Sequence, residues 1–290
     1  MFLLLGQPDD TCLLAVEAAM HERGRAAAII SSPFARPGRA TWSFPKSPAY
    51  HIVLRTGSRP IAVEGILCRG IGPSAAPPPD APGWTTEDLS YARAEADAAL
   101  LGWLSGVTCR VVDRLPAWLW YNTRPAVLGW AVTLAECGLP PLDAVTTDDP
   151  AVITALLEGA GAAWVPFTGA GARYTAGAAS LPGLTDTARL TPLHLSTLHD
   201  GAWRACVLGS HDVVWDDTTP HAARALDPLL RRFAVAVALD AVELVVTAEP
   251  PGRTRTVEVA ARPRFEAFGP VARAAIAAGL ATLLCTEIAT

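Results

Sequence analysis

Lysine is almost absent from this sequence. Of its 23 basic residues one is a lysine, Lys46, and the others are arginines. Any chemistry that requires a side-chain ammonium group therefore has to use Lys46. Charge of either sign is also sparse, since charged residues make up 18% of the chain and the net charge is −5. This balance, without a block of like charges, argues against nucleic acid as the main partner and against an anionic membrane surface.

Paired cysteines are missing as well. The six cysteines occur singly, and no CxxC motif or Cys/His cluster brings two of them close in sequence, which makes a zinc site built on them improbable. We expect most of them to be small buried hydrophobic residues. They are Cys12, Cys68, Cys109, Cys137, Cys206 and Cys285.

Long apolar segments are the third absence. The opening MFLLLG is apolar, but QPDD follows it at once, so it predicts a buried strand rather than a signal peptide. The longest later run, AAIAAGLATLLC, is too short to span a bilayer. Hydrophobic residues nonetheless make up 51% of the chain, enough for sizeable cores. We therefore expect a folded, soluble, cytoplasmic protein.

Short strands alternate with helices in residues 1–120. FLLLG and AAAIIS predict strands on either side of the helix CLLAVEAAMHERG, which Gly24 ends. HIVLRT and RPIAVEGILCRG predict further strands, and a proline-rich loop at 72–83 leads to a long helix capped by Thr85 or Thr86. The alternation indicates an α/β domain with some parallel pairing.

Residues 121–190 predict further helices and strands. PAVLGWAVTLAECG favours a helix with Pro125 in its first turn and Gly138 at its C-terminal cap. The stretch LDAVTTDDPAVITALLEG predicts a strand, a turn and a helix, with Thr147 or Asp148 placed to cap the helix. AAWVPFTG predicts a strand that enters a glycine-rich segment.

Residues 191–290 predict several strands and two helices. LTPLHLSTLHDGAWRACVLGSHDVVWDD indicates two or three strands joined by tight turns at Asp200-Gly201 and at Gly209. A helix follows, and VELVVTAEPPGRTRTVEVA then predicts a hairpin that turns at Pro251-Gly252. GPVARAAIAAGLATLL predicts a last helix.

The predicted hairpin brings two carboxylates together. With the turn at Pro251-Gly252, Glu243 lies near-opposite Ala260 and diagonal to Glu258, and strand alternation places both acids on one face. Two carboxylates at such a distance suit Mg²⁺, which prefers oxygen ligands. The alternative is a hairpin face that is solvated or paired with nearby arginines: Arg253, Arg255 and Arg262.

Four stretches, in order along residues 95–290, resemble the ATP-grasp superfamily, and in particular its peptide and carboxylate-amine ligases. WYNTRPAVLGWAVTLAECGLPPLDAVTT resembles the family's turn, helix and following strand. GAAWVPFTGAG resembles a strand with its glycine-rich loop, and GAWRACVLGSHDVVW resembles a hairpin that carries an arginine. LDAVELVVTAEPPGRTRTVEVAARP resembles the metal-binding hairpin. No one of these motifs is specific by itself.

The resemblance implies a fold and a reaction. It implies a mixed α/β protein, in which a pre-ATP-grasp-like domain, 1–120, precedes a small lobe, 121–190, and a core lobe, 191–290, with a cleft between the two lobes. A ligase of this family transfers the γ-phosphoryl group of ATP to a carboxylate, and an amine attacks the acyl phosphate. Cations must neutralise the charge that develops.

Site residues follow from the same resemblance. Arg204 matches an arginine that contacts phosphate or acyl-phosphate oxygens, although a salt bridge to an acidic neighbour is an equal alternative. Glu243 and Glu258 match metal ligands for Mg²⁺. The family has an asparagine where this chain has Ala260, and Arg262 would oppose a metal with its positive charge.

The resemblance also leaves gaps around the nucleotide. Its two lysines, expected near Val127 and at Val165-Pro166, are absent, so Arg124 or Arg173 would have to contact the phosphates of ATP. The backbone of the glycine-rich segment, with Gly169 and Gly171, is suited to cover them.

Two functions of different classes remain. One is an ATP-dependent carboxylate-amine ligase that acts on a peptide or small carboxylate, for example in natural-product modification. The other is a catalytically lapsed relative that binds a peptide or protein partner without using ATP. An unrelated α/β enzyme is a third reading. The aromatic residues Trp118, Trp120 and Tyr121 would permit a homodimer.

Overall fold

The computed structural model describes most of the chain and divides it into two compact units. The described residues are 1–31, 40–42, 52–56, 59–70, 83–114, 127–158, 162–165, 174–176, 181–188, 192–199 and 201–286. Unit 1 comprises Met1–Arg114 and Arg273–Thr290, and unit 2 comprises Leu115–Ala272. The three-part division at 120 and 190 stays a prediction. The protein is of the mixed α/β class, as the sequence predicts.

Unit 1 is built on a parallel sheet with strand order β2-β1-β6-β7. Its strands are β1 (Phe2–Leu5), β2 (Ala27–Ile30), β6 (Gly65–Cys68) and β7 (Arg110–Val112). All four residues of β1 and of β6 are buried, which is typical of parallel strands covered on both faces. A separate antiparallel sheet joins β3 (Ala40–Trp42), β4 (Ile52–Thr56) and β5 (Arg59–Ala62).

The helices of unit 1 begin at side-chain caps. Helix α1 (Thr11–Glu22) starts at Asp10, whose carboxylate accepts from the backbone amides of Cys12 and Leu13. Helix α2 (Thr86–Gly106) starts at Thr85, which exchanges side-chain and backbone hydrogen bonds with Asp88 in a capping box. Of the two predicted caps for α2, Thr85 is therefore the correct one.

The first sheet of unit 2 is antiparallel, with strand order β10-β9-β11-β8. Its strands are β8 (Ala144–Thr147), β9 (Ala162–Val165), β10 (Tyr174–Ala176) and β11 (Leu193–Thr197). Helices α4 (Pro150–Glu158) and α5 (Leu181–Ala188) share a hydrophobic core with this sheet. Helix α5 was not predicted, because its sequence, LPGLTDTA, carries a proline and a glycine in its first turn.

The second sheet of unit 2 has strand order β13-β12-β14-β15. Its strands are β12 (Ala202–Leu208), β13 (Asp212–Trp215), β14 (Ala241–Thr247) and β15 (Thr256–Ala260), all antiparallel to their neighbours. Helix α6 (Asp227–Val237), preceded by a 3-10 helix at His221–Leu226, contacts β12, β13 and β14. The indole N–H of Trp215 donates to Asp227 at the start of α6.

The local predictions for unit 2 were confirmed in part. The helix predicted in PAVLGWAVTLAECG is present as a 3-10 helix, Val127–Trp130, that continues as the short α3 (Ala131–Glu136), and Gly138 follows it at φ +83. Pro125 lies outside the described residues. Strands β11 and β12 belong to different sheets, and Asp200, in the turn predicted between them, lies outside the described residues. The residue that caps α4 is Asp149, whose carboxylate accepts from Ala151 N, one position after the predicted Asp148.

The last helix, α7 (Pro270–Cys285), is capped by residues distant in sequence. Asp217 accepts from the backbone amides of Val271 and Ala272, and Asp216 accepts from Gly269 N. Both aspartates therefore satisfy backbone amides at the start of α7. Among the described residues, no helix combines the length and the apolar character needed to cross a bilayer.

Candidate functional site

The hairpin of β14 and β15 places two glutamates on one face of the sheet. Glu243 pairs with Ala260 and Val245 pairs with Glu258, so Glu243 and Glu258 are diagonal neighbours. Residues directly opposite one another share a face of the sheet. Gly252, at φ +90, provides the turn between the strands. The register is the one that the sequence predicts.

Glu243 is the buried centre of this face. It is 1% exposed, and its Oε1 accepts from Arg204 Nη1 at 2.6 Å and from Arg264 Nη2 at 2.6 Å. Arg264 Nε donates to the same oxygen at 3.0 Å, and the Arg264 backbone amide donates to Oε2 at 2.7 Å. An ionised carboxylate buried this deeply is stable only with such partners, because desolvation costs several kcal/mol.

Arg264 joins the two glutamates. Its Nη2 lies 2.6 Å from Glu243 Oε1 and 2.7 Å from Glu258 Oε2. Burial opposes the charge of the guanidinium, but hydrogen bonds and charge attraction from Glu243 and Glu258 outweigh it and raise the pKa of Arg264 above its ordinary value. Arg204, Glu243, Glu258 and Arg264 therefore form an ion-pair quartet with no net charge.

Two buried aromatic residues hold Arg264 in place. After β15 the chain turns through Pro263 into a 3-10 helix, Phe265–Ala267, in which Phe265 is buried. Phe268, also buried, anchors the end of this turn. The turn brings the Arg264 backbone amide to Glu243 as well as its side chain, so the contact depends on the path of the chain and not on the side chain alone.

The residue that faces the acidic pair is not the one expected from the sequence. Arg262 was predicted to bring a positive charge there, but it is Arg264 that contacts both carboxylates. The sequence signal for Arg264 was the motif Arg262-Pro263-Arg264, which follows β15. Simple strand alternation favours position 262, and the 3-10 helix that follows Pro263 changes the direction of the chain.

Arg204 lies on the neighbouring strand, β12, opposite Val245. Its guanidinium bonds to Glu243 and lies over the ring of Phe268, with 5.7 Å between the guanidinium carbon and the ring centroid. A quarter of its side chain, 25%, is exposed. The salt-bridge interpretation of Arg204 is therefore present in the structure, and a contact with phosphate oxygens stays a prediction.

The arrangement of the glutamates does not fit a bound Mg²⁺ ion. Mg²⁺ requires oxygens at about 2.0–2.1 Å in octahedral geometry, but here one guanidinium nitrogen lies between Glu243 Oε1 and Glu258 Oε2. Ala260, where the family resemblance implies an asparagine, offers no side-chain oxygen. Within the described residues, no group of three His, Cys, Asp or Glu side chains is arranged to hold a metal ion.

The other predicted site residues lie outside the described residues. They are Arg124, Arg173, Gly169 and Gly171, together with the single lysine, Lys46, and the aromatic cluster of Trp118, Trp120 and Tyr121. Their proposed contacts with ATP, and a role of the aromatic residues in a dimer, stay predictions.

A cavity of about 480 Å³ lies in unit 2, near the end of the hairpin that is remote from the quartet. Leu142 and Asp143 line it on one side, with the segment from Thr197 to His199 at the end of β11. Charged residues of the hairpin line the other side: Glu249, Arg253 and Arg255. Unit 2 thus combines two antiparallel sheets with a polar cavity between the end of one sheet and the hairpin of the other.

The three histidines of residues 191–211 have local structural roles. His194 is buried on β11, and its Nδ1 lies 3.1 Å from Thr146 Oγ1 on β8. His199 Nδ1 lies 2.7 Å from Gly201 O, and His211 contacts the neighbouring Ser210. Each of the three histidines thus contacts a group within unit 2.

Comparison with known proteins identifies the fold. No protein-family model matches the chain, and no curated protein is significantly similar to it in sequence. Its structure is similar to macrocyclase MdnC of Microcystis aeruginosa MRC bound with precursor peptide MdnA, with TM-score 0.74 and 12% identity over 98% of this chain and 99% of that one.

Two further solved structures agree. A RiPP-associated ATP-grasp ligase of Chryseobacterium gregarium, in complex with ADP and a leader and core peptide, gives TM-score 0.73 and 13% identity over 98% and 96% of the chains. ATP-grasp ligase PsnB, complexed with a variant of its minimal precursor, Mg and ADP, gives 0.71 and 18% over 98% and 97%. The chain therefore has the ATP-grasp fold along nearly its whole length.

Proposed function

We propose that this protein is an ATP-grasp-fold ligase that modifies a peptide by joining a carboxylate to an amine. One observation carries the proposal: the fold matches peptide-modifying ATP-grasp ligases over 98% of the chain, the N-terminal unit included. A likeness limited to the two sheets of unit 2 would favour the fold but not this class of substrate.

In the proposed reaction, the γ-phosphoryl group of ATP passes to a peptide carboxylate and ADP is released. An amine then attacks the carbonyl carbon of the acyl phosphate, so that an amide bond forms while inorganic phosphate and the amine's proton leave. Negative charge develops on the phosphoryl oxygens during both steps. Arg204 supports the proposal, because its partly exposed guanidinium is suited to such oxygens. We assign no step to a metal held by Glu243 and Glu258, since Arg264 lies between them.

The second candidate is a protein that binds a peptide without consuming ATP. The quartet favours it, because the carboxylates that the family resemblance assigns to the metal are already neutralised by Arg204 and Arg264. The scarcity of lysine also favours it, since a missing preorganised charge costs roughly 10²–10³ in rate.

The test uses purified protein, Mg·ATP and a synthetic peptide library in which Asp or Glu side chains are combined with lysine. The ligase proposal predicts release of phosphate and a peptide product lighter by one water molecule for each bond formed, both lost in Arg204→Ala. Peptide binding that calorimetry detects, with no ATP binding and no mass change, would favour the second candidate instead.

A further inference from the structure

The space between Glu243 and Glu258 is occupied by a positive charge of the chain itself. Arg264 Nη2 makes short contacts with one oxygen of each glutamate. A cation that bridged these two oxygens would need the same position. A guanidinium and a metal ion therefore exclude one another there.

The charge balance of the quartet is complete without a metal ion. Arg204 and Arg264 together carry two positive charges, as one Mg²⁺ ion would, and the two glutamates carry two negative charges. Both guanidiniums bond to Glu243, and Arg264 also bonds to Glu258. For an added positive charge at this face, repulsion from the two arginines offsets attraction to the two acids.

Arg264 is largely buried at this position and does not lie on the protein surface. The side chain of Arg264 is 17% exposed, and its backbone amide bonds to Glu243 as well. Ala260, opposite Glu243, is fully buried and has no side-chain oxygen at the position where the family resemblance implies a third ligand.

We infer that Arg264 is a resident counter-ion that takes the place of a divalent cation at Glu243 and Glu258, so that this face of the sheet functions without bound metal. The inference concerns the protein alone and does not depend on the proposed ligase activity.

The main experiment measures Mn²⁺ binding to the full-length protein by electron paramagnetic resonance, without nucleotide or peptide. Wild type and Glu258→Gln are expected to bind Mn²⁺ equally, because Glu258 holds no metal ion in wild type. Arg264→Ala leaves two carboxylates without their shared partner, so it is expected to bind Mn²⁺ about tenfold or more tightly than wild type, equivalent to about 1.4 kcal/mol. Adding Glu258→Gln to Arg264→Ala should abolish the gain.

Thermal unfolding gives a second readout. Because ligands that bind the folded state stabilise it, millimolar Mg²⁺ should raise the melting temperature of Arg264→Ala and leave that of wild type unchanged. Arg253→Ala, at an exposed position in the same hairpin, is the matched control and should behave like wild type. If Arg264→Ala does not fold, Arg264→Gln removes the charge while keeping a hydrogen-bonding side chain.

Two results would overturn the inference. The first is wild-type Mn²⁺ binding that depends on Glu258, which would show that Arg264 gives way to the ion. The second is a folded Arg264→Ala or Arg264→Gln protein that gains neither Mn²⁺ affinity nor stabilisation by Mg²⁺. A lack of ligase activity in wild type would bear on neither result.

Discussion

Replacing Glu243 by glutamine is expected to destabilise the protein more than the same replacement at Glu258, the other acid of the quartet. Glu243 accepts four hydrogen bonds, three from guanidinium nitrogens and one from a backbone amide. Glutamine keeps the size of the side chain but removes its charge. Arg204 would then lose its carboxylate partner in the quartet, Arg264 would keep Glu258, and the quartet would carry a net positive charge.

The magnitude follows from burial. Breaking a buried ion pair by removing one partner costs about 3–5 kcal/mol. The side chains of Arg204 and Arg264 are 25% and 17% exposed, so water can solvate part of the charge that is left over. We therefore expect about 3 kcal/mol, at the lower end of that range. Glu258→Gln should cost about 1 kcal/mol, because Glu258 is 24% exposed and bonds to Arg264 alone in the quartet.

The assay is urea unfolding at neutral pH, followed by circular dichroism, for wild type and both variants. Glu249→Gln, at an exposed position of the same hairpin, is the control and should change the free energy of unfolding by less than about 0.5 kcal/mol. Equal losses for Glu243→Gln and Glu258→Gln would refute the reasoning, because they would show that Glu243 is not the buried centre of the quartet.

Three further outcomes are expected. Gly269→Ala should cost about 1–3 kcal/mol in urea unfolding, because a Cβ at that position would overlap the carboxylate of Asp217. Burial tends to raise the pKa of Asp216, but hydrogen bonds from Gly269 and Thr218 outweigh it and lower the pKa below the ordinary 3.8. The ionised Asp216 therefore adds its full contribution to the free energy of unfolding above pH 3.8, and this contribution is lost as the pH falls through the pKa of the folded state. Asp216→Asn should consequently flatten the acid limb of a plot of stability against pH. Thr85→Ala should cost about 1 kcal/mol by removing the cap of α2.

Each of these outcomes has a control. Gly183→Ala on α5, where an added Cβ meets open space, should be neutral or stabilising, and an equal loss there would contradict the account of Gly269. An acid limb unchanged in Asp216→Asn would show that its hydrogen bonds do not favour the ionised form. Thr86→Ala, next to the true cap, should have a smaller effect than Thr85→Ala; the reverse order would move the cap by one residue.

The fold was predictable because its hydrophobic patterns are local. The alternation of FLLLG, an amphipathic helix and AAAIIS is sufficient to predict the parallel pairing of β1 and β2. The pairing of Glu243 with Ala260 was predictable from a turn at Pro251-Gly252, but the register shift between Val245 and Val246 was not. The errors lie where local signals compete, as in α3, which begins as a 3-10 helix.

The partner of the glutamates was not predictable from the sequence. Strand alternation extends to Ala260, and beyond it the path of the chain depends on how Phe265 and Phe268 are buried. That burial is a tertiary property, so strand alternation alone favours Arg262, whereas the turn after Pro263 brings Arg264 to the glutamates. The caps of α7 are a similar case, because Asp216 and Asp217 are more than 50 residues away from the amides they bind.

The quartet changes what the two glutamates indicate about function. Taken from the sequence, an acidic pair on a hairpin that resembles a metal-binding one favours Mg²⁺ chemistry. In the structure, a structural role is enough to explain the same pair, because Glu243 accepts hydrogen bonds from both Arg204 and Arg264 and its loss would leave the two arginines with too little negative charge. Glu243 and Glu258 therefore do not by themselves support catalysis, and the ligase proposal rests on the fold and on Arg204. If Arg264 is the resident cation, any ATP-dependent reaction here must place its metal on the phosphates without these glutamates, and Glu258→Gln should leave the KM for Mg·ATP unchanged.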